Sequence, residues 1–128
     1  MVKTFGLTHV ALVVRDAERS LAFYESVLGM VVVFREPGFI QAQTPGSRDA
    51  LVFEEGPPRS GDGGIAHFGF RLTDPGDINA AMEAIERAGG EILRQGEFVP
   101  GAPFVFFRDP DGNEVEIWFE PPTAVDPQ

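Results

Sequence analysis

The sequence predicts an α+β fold built from two βαβββ modules in succession. Three observations support this: an internal duplication, strand patterns that surround one helical pattern in each half, and a Gly- and Pro-rich segment between the halves. The duplication shows in the only two histidines, His9 and His67, which are separated by 58 positions (67 − 9). Each stands third in a strand-like stretch, LTHVALVVRD at 7–16 and IAHFGFRLTD at 65–74. A repeat of this length indicates one domain-sized motif present twice, not a solenoid.

The first half, about residues 5–55, opens with an alternating strand pattern over 6–14. Asp16 is a typical N-cap, and it predicts a helix that runs to about Leu28. Gly29 follows as a C-terminal stop, because glycine adopts the left-handed conformation that ends many helices. Three short strands are predicted after it, at 31–35, 39–44 and 50–54.

The second half, about residues 65–120, repeats this order. Its predicted elements are a strand at 65–73, a helix at 77–88 and strands at 91–98, 103–108 and 113–119. The segment 56–64, rich in Gly and Pro, is the predicted linker between the halves, and the Pro-rich segment 121–128 is the predicted tail. We expect residues 1–128 to form a single domain, because this length suffices for one hydrophobic core.

Composition narrows the class of protein. The chain has 20 acidic and 10 basic side chains, for a formal net charge of −10. This balance argues against binding to nucleic acid or to an anionic membrane surface, both of which need a basic face. The chain has no cysteine, so thiolate ligands and nucleophilic thiols are excluded. No signal-like start and no apolar run of membrane-spanning length is evident, and we therefore expect a cytoplasmic protein.

Strand parity places three chemically useful side chains together. In the first, fifth and last predicted strands, one face is apolar throughout, as is typical of a face that packs against a helix. His9, His67 and Glu116 lie on the opposite faces of these strands. Two imidazoles and one carboxylate are a ligand set for a divalent metal ion. The sequence therefore predicts a metal site on the side of the sheet that faces away from the helices.

The chain resembles the vicinal oxygen chelate superfamily, which groups glyoxalase I, bleomycin resistance proteins, methylmalonyl-CoA epimerase, fosfomycin-resistance enzymes and extradiol dioxygenases. The resemblance spans residues 5–120. It rests on His9 and on the motifs RDAERSLAFYESVLGM at 15–30, GGIAHFGFRL at 63–72 and FFRDPDGNEVEIW at 106–118. It implies paired βαβββ modules that form a cupped mixed sheet around one divalent ion. In family terms His9, His67 and Glu116 match metal-ligand positions, and Fe²⁺, Mn²⁺, Zn²⁺, Ni²⁺ and Co²⁺ all suit such a set.

One position departs from the family pattern. Glyoxalase I and the epimerases place a fourth ligand, Glu or Gln, in the fourth strand, where the duplication aligns Val52 with Glu116. Valine cannot ligate a metal. Glu54, two residues further along, shares the face of Val52 by parity and is a candidate catalytic base or displaced ligand. The predicted site thus has three protein ligands and open positions for a water or substrate oxygen.

Other candidate residues concern the substrate. Arg71 shares the face of His67 and could hold an anionic group, although a pairing with Glu54 or Glu114 is an equal alternative. Trp118 and Phe104 are candidates to line the pocket, while aromatic residues at strand positions more often belong to a core.

Two functions of different class follow. The first is a metal-dependent enzyme acting on a small oxygen-rich molecule, as a lyase, isomerase, transferase or dioxygenase. The alternative is a metal-free drug-binding protein of the bleomycin-resistance type. Cleavage of catechols is not expected, because the family's ring-cleaving enzymes use further His and Tyr residues that are not available here. The resemblance and the open sheet edges also predict a homodimer.

Overall fold

The structure is a computed structural model, and it describes residues 3, 5, 7–58 and 64–127 of the 128-residue chain. The elements are β1 Val10–Val14, α1 Ala17–Leu28, β2 Val31–Glu36, β3 Phe39–Gln43, β4 Leu51–Glu55, β5 Phe68–Arg71, α2 Ile78–Arg87, β6 Glu91–Glu97, β7 Pro103–Arg108 and β8 Glu114–Trp118. This order confirms the prediction of two βαβββ modules. No helix among the described residues has the length and apolar character needed to cross a membrane.

The chain divides into two compact units, Met1–Gly63 and Gly64–Gln128, which we call unit 1 and unit 2. Their boundary falls within the predicted linker, of which residues 59–63 lie outside the described residues. Each unit has its own four-stranded mixed sheet, with the strand order β1-β4-β3-β2 in unit 1 and β5-β8-β7-β6 in unit 2. In each sheet the first pair is parallel and the other two pairs are antiparallel.

Helix α1 has the termini that the sequence predicts. The Asp16 side chain accepts a hydrogen bond from the backbone N–H of Arg19, and Gly29 ends the helix with a φ of 66°. These caps satisfy backbone groups that the helix itself leaves unpaired. One face of α1 packs on the unit 1 sheet, where the ring of Tyr24 stacks on that of Phe53 with centroids 5.3 Å apart. The hydrophobic core of unit 1 thus lies on the α1 side of its sheet.

Helix α2 packs on the unit 2 sheet, as α1 packs on the unit 1 sheet. A single 3₁₀ turn at Pro75–Asp77 precedes it, with the Asp74 side chain accepting a hydrogen bond from the backbone N–H of Gly76. Ile85 is the fully buried residue of α2. The buried sheet residues on this side alternate along β7 and β8, and they are Val105, Phe107, Val115 and Ile117. The opposite face of this sheet is left for polar and aromatic side chains.

Strands β1 and β5 are shorter than predicted, and this corrects the extents 6–14 and 65–73. The ladder of β1 with β4 begins at Val10, and that of β5 with β8 begins at Phe68. A strand extends only as far as its hydrogen-bonding partner, which the alternation of side chains does not report. His9 and His67 therefore each lie one residue before their strand.

The duplication extends to details of the backbone. Each helix is followed by a hairpin with a β-bulge, between Val32 and Phe34 in unit 1 and between Ile92 and Arg94 in unit 2. The hairpin loops differ in length. At equivalent pairs, two residues separate Glu36 and Phe39 in unit 1, whereas seven separate Gly96 and Phe104 in unit 2, where one further pair, Glu97 with Pro103, closes the loop. Unit 2 therefore carries a five-residue insertion at this turn.

Candidate metal centre

Glu116 lies in the middle of the unit 2 sheet, on the face opposite α2. Its neighbours across the sheet are Gly69 on β5 and Phe106 on β7. Because side chains alternate along β8, the burial of Val115 and Ile117 against α2 directs Glu116 to the other face. Glu116 is only 8% exposed, which is unusual for a carboxylate and calls for a partner of opposite charge or a metal ion.

His67 provides the facing group. The distance between His67 Nε2 and Glu116 Oε1 is 3.7 Å, too long for a hydrogen bond. Two donor atoms that each lie about 2.0–2.2 Å from one ion are separated by at most about 4 Å. The observed separation is therefore compatible with a shared divalent ion. The His67 ring also contacts the ring of Phe106 edge-to-face, with centroids 4.9 Å apart, which fixes its orientation.

The electrostatic surroundings of Glu116 act in opposite directions. Burial raises the pKa of the Glu116 carboxyl above its ordinary value, while the nearby charges of His67 and Arg94 lower it and that of Glu120 raises it. The burial effect is the largest, so the net direction is upward. A cation that binds beside a desolvated carboxylate therefore stabilises its charged form more than it would stabilise a solvated carboxylate.

The absence of a side chain at Gly69 leaves space for Glu116 on the adjacent strand. A Cβ atom at position 69 would lie 3.1 Å from the Glu116 carbonyl oxygen, 3.3 Å from Glu116 Cβ and 3.6 Å from Glu116 Oε1. The first two contacts are tighter than ordinary van der Waals packing. Glycine in a strand often marks a place where a neighbouring group approaches closely, and here that group is Glu116.

Arg94 is a site residue that the sequence analysis missed. Its guanidinium Nη1 lies 2.9 Å from Glu114 Oε1, and its Cζ lies 3.9 Å from the centroid of the Phe106 ring. The ring of Phe106 thus has contacts with both Arg94 and His67. The β-bulge just before Arg94 breaks the alternation of β6, so parity counted along the sequence does not assign this side chain to a face.

The candidate substrate residues Phe104 and Trp118 are register partners on β7 and β8, on the face that carries Glu116. Arg71 pairs in register with Trp118 on the other side. Glu114, one of the two carboxylates predicted as alternative partners of Arg71, is instead paired with Arg94. Hydrogen bonds from Thr123 lower the pKa of Asp126 in the C-terminal segment, and the charge of Arg71 contributes a smaller effect in the same direction.

The corresponding positions of unit 1 have different chemistry. His9 is exposed and its Nδ1 is hydrogen-bonded to the hydroxyl of Thr8. The register Ala11↔Val52 matches Gly69↔Glu116, so Val52 does stand where unit 2 has Glu116. Glu54 is exposed at the end of β4 and shares the face of Val52.

Each unit contributes part of the predicted ligand set. His67 and Glu116 face each other in unit 2, and His9 belongs to unit 1. Over the described residues 7–58 and 64–127, no group of three or more His, Asp or Glu side chains is close enough to hold an ion by itself. The structure thus brings two of the three predicted ligands together, and the complete set of three stays a prediction.

The family assignment follows from the sequence match to a family model over residues 6–117. The chain belongs to the Glyoxalase/Bleomycin resistance protein/Dioxygenase superfamily. This confirms the resemblance drawn from the motifs around His9, His67 and Glu116.

Relatives of the chain differ in activity. It is 33% identical over 125 residues to the uncharacterized protein PA2024 of Pseudomonas aeruginosa, covering 91% of this chain and 89% of the relative. It is 30% identical to a catechol-2,3-dioxygenase of Bacillus subtilis, covering 92% of this chain but only 44% of the dioxygenase. It is also 30% identical to a lactoylglutathione lyase of Salmonella typhimurium, covering 87% of this chain and 90% of the lyase.

Solved structures confirm the fold. A glyoxalase-related enzyme from Fulvimarina pelagi superposes with a TM-score of 0.77 at 25% sequence identity, covering 98% of this chain and 96% of the other. The α+β arrangement of paired modules is therefore the superfamily fold. That fold hosts several chemistries, so the reaction must be argued from the site.

Proposed function

We propose that the protein is a divalent-metal-dependent enzyme that holds its ion with His9, His67 and Glu116 and acts on a small oxygen-rich molecule. The observation that carries this proposal is the pair formed by His67 Nε2 and Glu116 Oε1, at 3.7 Å. A buried carboxylate and an imidazole nitrogen that face each other without a hydrogen bond fit the coordination of one ion. His9, the duplicate of His67, is the natural third ligand.

The bound ion would act as a Lewis acid that polarises neighbouring oxygens of the substrate. His67 and Glu116 would hold it in place, with the carboxylate lowering the net charge of the site. Glu54 is the proposed catalytic base, because it is exposed and shares the face of Val52 in unit 1. Arg71, Phe104 and Trp118 are proposed to line the substrate pocket from the unit 2 sheet.

The type of reaction stays open among lyase, isomerase, transferase and dioxygenase. Relatives include a lactoylglutathione lyase and a catechol-2,3-dioxygenase, so both classes have precedent at similar identity. Against ring cleavage, Tyr24 is fully buried against Phe53 on the α1 side of its sheet. The chain has no second tyrosine, and its two histidines are proposed metal ligands. We therefore favour a reaction that needs a Lewis acid and one base.

Metal titration by calorimetry, with metal content measured after dialysis, tests the ligand set. The wild type is expected to bind one ion per chain, and His9→Ala, His67→Ala and Glu116→Gln are each expected to lose stoichiometric binding. Glu54→Gln is the matched control for Glu116→Gln, because it makes the same change of charge outside the ligand set. It should keep stoichiometric metal binding.

The same titration separates the alternative functions. A wild-type protein that binds no divalent ion would favour the metal-free drug-binding alternative. Undiminished metal binding by His9→Ala would remove unit 1 from the site while leaving the pair in unit 2.

A homodimer and a cytoplasmic location are further proposals. The outer strands of the two sheets are β1 and β2 in unit 1 and β5 and β6 in unit 2, and outer strands offer backbone groups for pairing. Size-exclusion chromatography with light scattering should give twice the chain mass of 13.9 kDa, and a monomer at micromolar concentration would contradict the dimer. Cell fractionation tests the location.

A further inference from the structure

We propose that unit 2 carries a subsite for a neutral, planar aromatic group of the substrate, formed by Phe98, Phe104 and Trp118. This rests on the proposed function in one respect: the aromatic group is taken to belong to the molecule whose oxygens bind at the metal. The subsite itself is argued from the unit 2 sheet and from the loop that joins β6 to β7.

Phe98 presents one open ring face. It stacks on Phe104 with ring centroids 4.0 Å apart and an interplanar angle of 11°, and it meets Trp118 nearly at a right angle, with centroids 5.5 Å apart. Phe98 is nevertheless 54% exposed, so Phe104 covers one face while the other is accessible. A stacked ring with a perpendicular indole beside it forms a corner into which another flat ring fits.

The loop that carries Phe98 is held by its own hydrogen bonds. The backbone N–H of Phe98 donates to the carbonyl of Ala102 at 3.3 Å, and the N–H of Ala102 donates to the carbonyl of Val99 at 3.0 Å. The N–H of Gly101 donates to the Glu97 carboxylate at 3.3 Å. A phenyl ring fixed in an exposed position loses little conformational entropy when a ligand stacks on it, which favours binding.

The five-residue insertion in unit 2 accounts for this loop. In unit 1 the equivalent hairpin turns with only two residues between Glu36 and Phe39 and has no position that corresponds to Phe98. The difference places the exposed ring in the unit that also holds the His67–Glu116 pair.

One aromatic ring connects the subsite to that pair. Phe106 lies 6.5 Å from Phe98 and 4.9 Å from His67, measured between ring centroids. A small molecule bound through its oxygens at His67 and Glu116 would therefore extend along these rings. A half-exposed phenylalanine offers on the order of 100 Å². A stable protein interface needs about 800 Å² from each partner, so the corner suits a single ring rather than a second protein.

The surrounding charges select among aromatic groups. Glu97, Glu114 and Glu116 are acidic, and Arg94 pairs with Glu114. Arg71, in register with Trp118, has the carboxylate of Asp126 within range of its charge. An aromatic carboxylate would meet an excess of negative charge on this face, whereas a neutral ring would not. The ligand class is therefore a neutral aryl group.

Titration of the metal-free protein with benzyl alcohol, in the presence of a chelator, tests the subsite. Trp118 is the only tryptophan and gives one indole N–H signal in a ¹⁵N-resolved NMR spectrum. Benzyl alcohol should move this signal saturably. Cyclohexylmethanol, which is similar in size but not planar, and benzoate, which is charged, should each bind about three- to tenfold more weakly.

Variants make the test specific. Phe98→Ala and Phe98→Leu should each weaken benzyl alcohol about three- to tenfold, the second because it keeps an apolar side chain but not a flat one. Phe34→Ala is the matched control, since Phe34 is 46% exposed in unit 1, and it should leave the affinity unchanged.

Equal binding of cyclohexylmethanol, or wild-type affinity in Phe98→Ala, would overturn the subsite. An indole signal that moves on dilution of the protein alone, and ceases to do so in Phe98→Ala, would show that a second copy covers Phe98 and would equally overturn it. Because no metal is present, the result is independent of the proposed function. Metal binding that fails while benzyl alcohol binds as expected would refute the enzyme proposal and leave the subsite intact.

Discussion

Val52 in unit 1 and Glu116 in unit 2 occupy the same position in two sheets that have the same strand order and the same bulge. Their neighbours differ as well. Across the sheet Val52 has Gln41, where Glu116 has Phe106. The next strand carries Phe34 in unit 1 and Arg94 in unit 2. Among the residues that the structure describes, buried carboxylates are found only in unit 2, where Glu116 has an imidazole and a guanidinium near it.

The duplicated backbone alone therefore does not make a site. Both units contain a histidine just before the first strand. In both, the residue two positions after that histidine pairs with a buried residue on the adjacent strand, Val52 in unit 1 and Glu116 in unit 2. In unit 2 this buried residue is a carboxylate, and the small Gly69 leaves it room. In unit 1 the buried residue is Val52 and the small residue is Ala11. Exchanging these residues between the units tests which of them the site requires.

The largest effect is expected from Glu116→Val, which gives unit 2 the residue of unit 1. The wild type should gain about 2.7 kcal/mol of stability at a metal concentration one hundred times the dissociation constant. The variant should gain nothing, because the proposed carboxylate ligand is gone. Thermal melts with and without a divalent ion measure this difference. A metal-dependent rise in melting temperature that survives in the variant would exclude Glu116 as a ligand.

The reverse exchange, Val52→Glu, should destabilise the protein by roughly 2–4 kcal/mol. Val52 is 4% exposed, and unit 1 has Phe34 where unit 2 has the cationic Arg94. The new carboxylate would thus be buried without the compensation that Glu116 receives. Urea denaturation of the metal-free variant gives the loss directly, with Val52→Ala as a control for packing. A cost no greater than that of Val52→Ala would indicate that the position is open to water or to a cation.

Much of this fold can be predicted from the sequence, because its apolar residues recur with the periods of strands and helices. The caps Asp16 and Gly29, the two helices and the eight strands follow from local rules, and the structure confirms their order. The facing pair His67 and Glu116 also followed from strand parity, which depends only on the alternation of side chains.

What escaped prediction depends on hydrogen bonding between strands. Strands β1 and β5 begin where β4 and β8 provide hydrogen-bonding partners, so the predicted extents 6–14 and 65–73 are too long. Arg94 follows a bulge that no residue pattern marks. Phe98 lies in a loop whose conformation is set by its own backbone hydrogen bonds. Strand parity applies only within strands, so it does not predict that the Phe98 ring is exposed.

A smaller effect is expected where the units differ by one methyl group. Gly69→Ala should cost about 1–2 kcal/mol and weaken metal binding several-fold, because the new Cβ would press on the Glu116 backbone at 3.1 Å. The exchange Ala11→Gly in unit 1 should lower the free energy of unfolding by only about 0.5–1 kcal/mol, as is usual for glycine within a strand. It should leave metal binding unchanged. Equal metal affinity in both variants would show that Gly69 is required for folding alone.

The smallest effect concerns the charge of Glu116 in the metal-free protein. Its pKa is raised above the ordinary value of 4.5, chiefly by burial, so the folded protein keeps this proton to a higher pH than the unfolded chain does. The stability that the protonated group contributes is fully present below the unfolded pKa and is lost as the pH rises through the folded pKa. Glu116→Gln is neutral at every pH and avoids this loss. With a chelator present, it should melt up to a few degrees higher than the wild type at pH 7 and at the same temperature at pH 4.

Glu54→Gln, at an exposed position, should show no such pH-dependent difference. A wild type that is more stable than Glu116→Gln at pH 7 would mean that His67 and Arg94 outweigh burial, and that the carboxylate of unit 2 is already compensated before any metal binds.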